Sequence, residues 1–449
     1  MGVVIHNPSR AGSMTRRRFL AVSGLSLAGF AAGCAVNPVT GERQVMLVSE
    51  AQELELDRKS SPHQFSADYG PVSDRALNDY LNRTGKALAS RSHRPQMPYS
   101  FKVVRATYVN AYAFPGGSIA ATRGILLALG NEAQLAALLG HEIGHVNARH
   151  TASRMSKGML TSLAMAGVMG VVRVGAGKLA PLAAGLGGIG AGLLLARYSR
   201  QDERQADALG MEYMVRAGYS PRGMVGLMEV LRSLSKHKPD AIEMMFATHP
   251  MSDERYRTAV ERSETRYRSS LGLPLYRERY MDHTAGLRKL RGAIEQMQKA
   301  ERLMGRRKFQ EAEDALKKAL REAPSDYAGL LMMAKCRLVL KQYPEAERFA
   351  AEARAVDPEE PQALHVEGIA MIRGKKFTKA YEAFQEYEKL LPGNPNTIFL
   401  KGLSLEGMGR KKEAARAYSR YLDYDRQSKQ ARYAYGRLVE WGYIKPTRR

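Results

Sequence analysis

The sequence predicts a mainly α-helical protein with a small β-sheet in its first half and an α-solenoid of repeated helix pairs in its second half. Three observations support this fold class. Most segments have apolar residues at helical spacing, two short segments between residues 101 and 122 alternate as strands do, and a 34-residue period begins near residue 293. The chain of 449 residues is long enough for two or three domains.

The N-terminal segment is typical of an export signal that ends at a lipid attachment site. Three arginines at 16–18 precede an apolar run, as in twin-arginine leaders, and Ala31-Ala32-Gly33-Cys34 is typical of a lipobox. We therefore expect residues 1–33 to be removed and Cys34 to carry the lipid. The alternative is a short transmembrane anchor, although the apolar run falls short of the roughly 20 residues that span a bilayer. Met14 is an alternative start.

Cysteine content and charge narrow the classes of function. With Cys34 lipidated, Cys336 has no partner for an intramolecular disulfide, and we expect it in the core of the second half. The net charge is +24, or +20 without the four arginines of the leader. No basic and aromatic platform accompanies this charge, so we expect no nucleic-acid partner. Anionic lipid head groups, acidic client segments or simply a basic solvated surface account for it.

The segment from His141 to His145 is the strongest chemical signal. Its histidines are four residues apart, and therefore about 40° apart on a helix, so both imidazoles can reach one metal ion. Glu142 would lie beside that metal, placed to take a proton from a bound water and pass it to the leaving amine. Gly140 and Gly144 leave room for close packing. The same pattern also occurs in ordinary amphipathic helices, so the context decides.

A catalytic zinc needs a third protein ligand. The extended pattern HExxHxxGxxH would require glycine at 148 and histidine at 151, where this chain has Ala148 and Thr151. His150 is one residue out of that register, and we predict a surface histidine there. Glu203 and Asp207 stand one helical turn apart. We expect Glu203 to bind zinc and Asp207 to accept the second N–H of a ligating histidine.

With the segments NAYAFPGG at 110–117 and THP at 248–250, these motifs resemble the gluzincin peptidases related to CAAX prenyl protease and HtpX. The lipoprotein start and the C-terminal repeats resemble the BepA-like branch, periplasmic proteases tied to outer-membrane protein assembly and quality control. The resemblance implies a zinc metalloendopeptidase domain at 34–275 with one zinc per chain. It implies His141, His145 and Glu203 as ligands, Glu142 as general base and Asp207 as the matching acidic residue.

His249 is a further candidate catalytic residue, because it follows the metal motifs and precedes a proline that keeps its loop extended. An inward-facing His249 would stabilise the oxyanion of the intermediate, or occupy the fourth position of zinc and keep the protease silent. The third interpretation is a structural histidine near a turn. Arg255 would pair with an acidic group or a substrate carbonyl, or be solvated.

Two other segments bear on substrate and membrane. Residues 101–109 and 117–122 are predicted strands, and we assign to the second the pairing with extended substrate through main-chain hydrogen bonds. Residues 158–198 are rich in glycine and alanine and nearly free of charge. We predict a helical hairpin that packs on the catalytic domain or dips into the bilayer surface, with a transmembrane hairpin as the alternative.

The second half repeats with a period of 34 residues. Aromatic or long residues, alanines and prolines recur at this step, at Phe309, Tyr343, Phe377 and Lys411, at Ala312, Ala346, Ala380 and Ala414, and at Pro324, Pro358 and Pro392. This is the spacing of tetratricopeptide repeats. We predict four repeats within 288–449 and a capping helix at 428–441. Their concave groove is expected to bind polypeptide.

These features predict an exported periplasmic lipoprotein, anchored through Cys34 to the inner leaflet of the outer membrane. We expect a zinc endopeptidase whose substrates are misfolded or stalled envelope proteins, with repeats that bind clients or the outer-membrane assembly machinery. The alternative is a chaperone or assembly scaffold whose proteolysis is rare or regulated. The intact HExxH and ExxxD patterns favour retained catalysis, because a scaffold has no need of Glu142.

Overall fold

The computed structural model of the chain describes residues 34–168, 197–237 and 239–445. The strands in these residues are β1 (Cys34–Val36), β2 (Arg43–Val45), β3 (Ser100–Val104), β4 (Ala111–Ala113) and β5 (Ser118–Thr122). The helices up to residue 289 are α1 (Glu50–Ala67), α2 (Arg75–Ala89), α3 (Arg123–Ala128), α4 (Glu132–Asn147), α5 (His150–Val168), α6 (Arg200–Arg216), α7 (Arg222–His237), α8 (Pro239–Thr248), α9 (Asp253–Glu264), α10 (Arg277–His283) and α11 (Ala285–Lys289). The predicted fold class is confirmed.

The three-stranded sheet formed by β3, β4 and β5 differs from the prediction, because the predicted second strand does not lie at its edge. Its order is β3-β5-β4, with β5 parallel to β3 and antiparallel to β4, so β5 has a neighbour on both sides. The predicted pairing of the second strand, 117–122, with substrate is therefore wrong, because a central strand has no free edge. The edge next to β5 is β4, a three-residue strand buried throughout that is too short to show alternation.

Helices α4 and α6 pack closely enough to bring their polar residues together. A Cβ atom added to Gly140 would lie 2.8 Å from the carbonyl oxygen of Gly210, and one added to Gly210 would lie 2.7 Å from the nitrogen of His141. Any larger residue at either position would push the helices apart. The two glycines thus set the helix separation on which the site depends.

The second half consists of antiparallel helix pairs. These are α12 (Arg291–Gly305) with α13 (Phe309–Glu322), α14 (Tyr327–Val339) with α15 (Tyr343–Val356), α16 (Gln362–Arg373) with α17 (Phe377–Leu390), and α18 (Pro395–Gly407) with α19 (Lys411–Leu422), followed by α20 (Lys429–Glu440). Cys336 is fully buried, as predicted. Burial also raises the pKa of its thiol to about 11, which keeps it protonated and unreactive at neutral pH.

The repeat half contacts the first half of the chain through polar groups that lie in α12 and in the loops before α14 and α16. The Arg123 guanidinium lies 2.5 Å from the Asp326 carboxylate, and Arg105 lies 2.6 Å from Asp357. Thr107 donates a hydrogen bond to Glu301 over 2.5 Å. One apolar cluster also runs from α2 into α14. The start of the repeat half is therefore held against the first half of the chain.

Two predicted segments lie wholly or mostly outside the described residues. The export signal at 1–33 is one of them. Of the predicted hairpin at 158–198, the structure describes the part of α5 up to Val168 and the residues from 197 onward. Among the described helices, none has the length and apolar character needed to cross a bilayer.

Candidate metal centre

Helix α4 carries the first two candidate ligands. Asn131 caps its start by accepting a hydrogen bond from the Gln134 N–H, and the helix is buried almost throughout. His141 and His145 face the same side, with their rings 4.7 Å apart and their Nε2 atoms 3.1 Å apart. The spacing of four residues thus brings the two nitrogens to one point, as the sequence predicts.

Helix α6 supplies the two acidic residues. A capping box between Ser199 and Asp202 fixes its start, so that Glu203 lies in the first turn. Oε1 of Glu203 lies 3.3 Å from Nε2 of His145, and Oε2 lies 3.7 Å from Nε2 of His141. Oδ1 of Asp207 lies 2.9 Å from Nδ1 of His141. The structure brings all four sequence-predicted residues together.

His249 completes a cluster of four buried ligand groups. Its Nδ1 lies 3.0 Å from Oε1 of Glu203 and 3.3 Å from Nε2 of His141. One ligand atom each from His141, His145, Glu203 and His249 lies within 4.8 Å of the others. The His249 N–H is fixed by the Met245 carbonyl at the end of α8. His249 therefore faces inward, where the two active roles place it.

Arg255 is buried rather than solvated, and it contacts both acidic residues. Its guanidinium lies 2.7 Å from Asp207 and 2.7 Å from Glu203. Burial alone would raise the pKa of Glu203, but His249 and Arg255 outweigh this effect and hold it well below its usual value. Arg255 likewise lowers the pKa of Asp207 against the effect of burial. Both carboxylates are thereby kept ionised.

Glu142 is the polar group of the site that lacks a partner. Both carboxylate oxygens are buried and accept no hydrogen bond from the described residues. Burial raises the pKa of Glu142, because no solvent stabilises the charged form. Its Oε1 lies 3.9 Å from Nε2 of His249. A carboxylate whose pKa is raised in this way is a stronger base than an exposed one, as a proton acceptor requires.

Two residues of the site have roles that the sequence pattern did not predict. His150 is buried, so the predicted surface histidine is wrong, and its Nδ1 lies 2.9 Å from Nδ1 of His145. Tyr198 stacks on His145 with ring centroids 3.8 Å apart. Its N–H donates to the Thr248 carbonyl, so it also anchors the chain next to His249. A tyrosine directly before the capping residue of α6 carries no signal of its own.

The donor set fits a metal cation. Asp207 accepts the Nδ1–H of His141, which leaves the Nε2 of His141 with a lone pair that points at Glu203 and His145. Burial alone would lower the pKa of His141, but Asp207 and Glu203 outweigh it and raise this pKa. Burial holds the pKa of His145 well below its usual value, which keeps that imidazole neutral, as a metal ligand must be. Two imidazole nitrogens and a carboxylate at one point are typical of zinc.

Comparison with known proteins also indicates a metallopeptidase followed by repeats. Residues 75–263 match the model of Peptidase family M48, and residues 303–367 and 399–440 match tetratricopeptide repeats. The chain is 25% identical over 378 residues to a beta-barrel assembly-enhancing protease of Yersinia pestis, covering 78% of this chain and 76% of that protein. The protein of that name from Escherichia coli is 28% identical over 197 residues, which is 43% of this chain and 40% of the relative. A mitochondrial metalloendopeptidase of Arabidopsis thaliana is 26% identical over 215 residues, which is 48% of this chain and 41% of that protein.

These matches confirm three predictions. The chain resembles the BepA-like metallopeptidases with tetratricopeptide repeats, it is a metalloendopeptidase, and zinc is the metal of the peptidase family that its first half matches. The roles of individual residues stay predictions.

Proposed function

We propose that this chain, a metalloendopeptidase with a family M48 domain and tetratricopeptide repeats, cleaves misfolded or stalled polypeptides of the cell envelope. The observation that carries the proposal is the buried cluster of His141, His145, Glu203 and His249, beside which Glu142 lacks a partner. The names of the Yersinia and Escherichia relatives support a place in the assembly of outer-membrane β-barrels.

We assign the roles in peptide hydrolysis as follows. His141, His145 and Glu203 would hold zinc, which when bound polarises a carbonyl and acidifies water. Glu142 accepts the proton of the attacking water at its carboxylate and donates it to the leaving amine nitrogen. Asp207 keeps the proton of His141 on Nδ1, and Arg255 holds Asp207 and Glu203 in place.

We propose that His249 takes the fourth ligand position in the resting protein. Its Nδ1 lies among the atoms that would surround the metal, 3.0 Å from Glu203 and 3.3 Å from His141, which favours ligation over oxyanion stabilisation. Tyr198 supports this arrangement, because its ring centroid lies 5.1 Å from that of His249 and it binds the Thr248 carbonyl. Substrate would then have to displace His249 before cleavage.

The edge strand β4 is the proposed binding site for extended substrate, in place of β5. The pairs Asn110 with Thr122 and Phe114 with Ser118 are hydrogen-bonded, so by alternation the main-chain groups of Ala111 and Ala113 point away from β5. Ala113 also lines a narrow cleft with His145. Because β4 is buried, substrate would have to displace the residues that cover this edge. Substrate that then adds to β4 by main-chain hydrogen bonds would pass the metal centre with little sequence selectivity.

The repeats are proposed to bind clients or an assembly partner at their C-terminal end. The peptidase part contacts the start of the stack at Glu301 in α12, at Asp326 directly before α14 and at Asp357 between α15 and α16. Tyr433 and Tyr443, in and after α20, are more exposed than large apolar residues usually are. We therefore place the binding of other polypeptides at this end of the stack. We retain 34–275 and 288–449 as the proposed domains.

Anchoring through Cys34 remains part of the proposal. Cys34 begins the hairpin of β1 and β2, and the chain after this hairpin is fixed to α5, where the Leu47 N–H donates to Ser156 over 2.9 Å. A lipid on Cys34 would thus hold the peptidase part close to a membrane. Fractionation of cells that express Cys34→Ser tests this: the variant should leave the membrane fraction. Retention there after high-salt and carbonate washes would contradict a lipid anchor as the main attachment.

The second candidate function is a chaperone or assembly scaffold whose proteolysis is rare, and the inward position of His249 favours it. Client capture separates the two. If proteolysis is the main function, Glu142→Gln should retain uncleaved envelope proteins that the wild type does not retain. If the chain is a scaffold, wild type and Glu142→Gln should capture the same proteins in equal amounts.

A further inference from the structure

A break in the helix returns His150 to the metal centre. On a continuous helix, His150 would stand about 140° around the axis from His145 and face away from it. Helix α4 instead ends at Asn147, Arg149 has a φ of +56°, and α5 begins at His150. This turn brings the rings of His145 and His150 to 4.9 Å, in a T-shaped arrangement. The side chain is buried, with 4% of its surface exposed.

The hydrogen bonds around His150 can be assigned by counting protons. A metal ligand at Nε2 of His145 leaves the proton of that ring on Nδ1. The partner of this N–H is Nδ1 of His150, 2.9 Å away, which must then accept and carry no proton. The proton of His150 is thereby placed on Nε2, which lies 3.1 Å from Oε1 of Gln205 and 3.7 Å from Asp202. Each N–H in this series of hydrogen bonds therefore has an acceptor.

We propose that His150 is the positioning residue for His145, the counterpart of what Asp207 is for His141, with Gln205 fixing the tautomer of His150. The inference rests on the metal site proposed above. Both acceptors come from outside the helix turn that carries the ligands, one from α6 and one from the start of α5. The neutral His150 accepts from His145, and the ionised Asp207 accepts from His141. Together they orient both rings and add only one negative charge next to the metal.

Zinc affinity of the full chain tests this role directly, measured by competition with a chromophoric chelator. His150→Phe keeps the ring but removes the acceptor, and should weaken zinc binding by roughly 10- to 100-fold. His150→Asn places an amide oxygen where Nδ1 of the imidazole lies, so it can accept from the same N–H and should restore most of the affinity. The melting temperature of the metal-free forms is measured beside it, because a merely structural role would lower that temperature and leave the zinc affinities of the two variants equal.

The outcomes separate this inference from the metal site itself. A wild-type chain that binds no zinc would refute the metal site. If the wild type binds zinc, the role of His150 alone would be refuted by either of two results: His150→Phe binds zinc as tightly as the wild type, or His150→Asn binds it as weakly as His150→Phe. Should His150→Phe fail to fold, zinc binding by Gln205→Leu and by its control Gln205→Glu decides. Weaker binding by Gln205→Leu than by Gln205→Glu supports the role of His150, and equal binding by the two variants overturns it.

Discussion

Arg255 and Asp207 form a buried, two-point ion pair, with Nε and Nη2 of the arginine each 2.7 Å from a carboxylate oxygen. The same guanidinium lies 2.7 Å from Glu203, one helical turn earlier. One arginine therefore fixes the proposed metal ligand and the residue that orients His141. Because all three side chains are buried, the pair matters more for this site than a surface ion pair would.

Replacing Arg255 should destabilise the protein and weaken the site. Arg255→Met leaves two buried carboxylates without a cation, and we expect a loss of about 3–5 kcal/mol in the free energy of unfolding. Arg255→Lys keeps the positive charge but replaces the planar guanidinium by a single ammonium group. It should therefore lose less stability than Arg255→Met. Urea unfolding in the presence of a chelator measures both. Equal stability of Arg255→Met and wild type would contradict the structural role.

His249→Ala should accelerate cleavage of casein and of the chain itself, because it frees the fourth ligand position. If the wild type favours the form with His249 in the fourth ligand position by about 1.4 kcal/mol, removing this preference should raise the rate roughly tenfold. Zinc content should stay at the wild-type level, since the other three ligands remain. Slower cleavage would instead assign the oxyanion role to His249, and unchanged rates would leave the structural role.

The contact between peptidase part and repeats depends on Arg123 and Asp326, which are 4% and 5% exposed. Arg123→Met leaves Asp326 buried without its cation and should cost about 3–5 kcal/mol of unfolding free energy. Adding Asp326→Asn, which keeps the hydrogen bond acceptor for the Gly329 N–H, should recover part of this loss. Arg348→Met is the control: that arginine is 51% exposed, and its ion pairs contribute less than about 1 kcal/mol. A similar loss in both variants would refute the buried contact.

His365 makes the stability of the repeats depend on pH. Burial, with the charge of Lys335 adding to it, lowers the pKa of His365 from 6.5 to about 4. Between these values the unfolded chain binds more protons than the folded chain. This contribution to stability is therefore fully present above pH 6.5 and is lost as the pH falls toward 4, by up to about 1.4 kcal/mol per pH unit.

Replacing His365 should therefore make the repeats less sensitive to acid. In His365→Gln the free energy of unfolding should fall less steeply than in the wild type between pH 6.5 and 4, because the titrating group is gone. Urea unfolding at several pH values across this range measures both slopes. Parallel curves would show that His365 does not carry the effect.

The sequence predicted those parts of the site that depend on local periodicity. His141 and His145, and then Glu203 and Asp207, each stand one turn apart, so a helix alone aligns them. His150 was misjudged because the same periodicity was extended through a helix break at Arg149. Arg255 and Tyr198 reach the site through tertiary packing, which leaves no regular spacing. The three-residue strand β4 was missed, and the packing of the repeats on the peptidase part follows from long-range contacts such as Arg123 with Asp326.

The most direct test of the account compares zinc content and casein cleavage in purified wild type, Glu142→Gln and Glu203→Ala. We predict about one zinc per chain in the wild type and in Glu142→Gln, with cleavage reduced by roughly 10²- to 10⁴-fold in Glu142→Gln because the proton acceptor is gone. Glu203→Ala should lose both zinc and cleavage. Full zinc occupancy in Glu203→Ala, or wild-type cleavage by Glu142→Gln, would contradict the proposed active site.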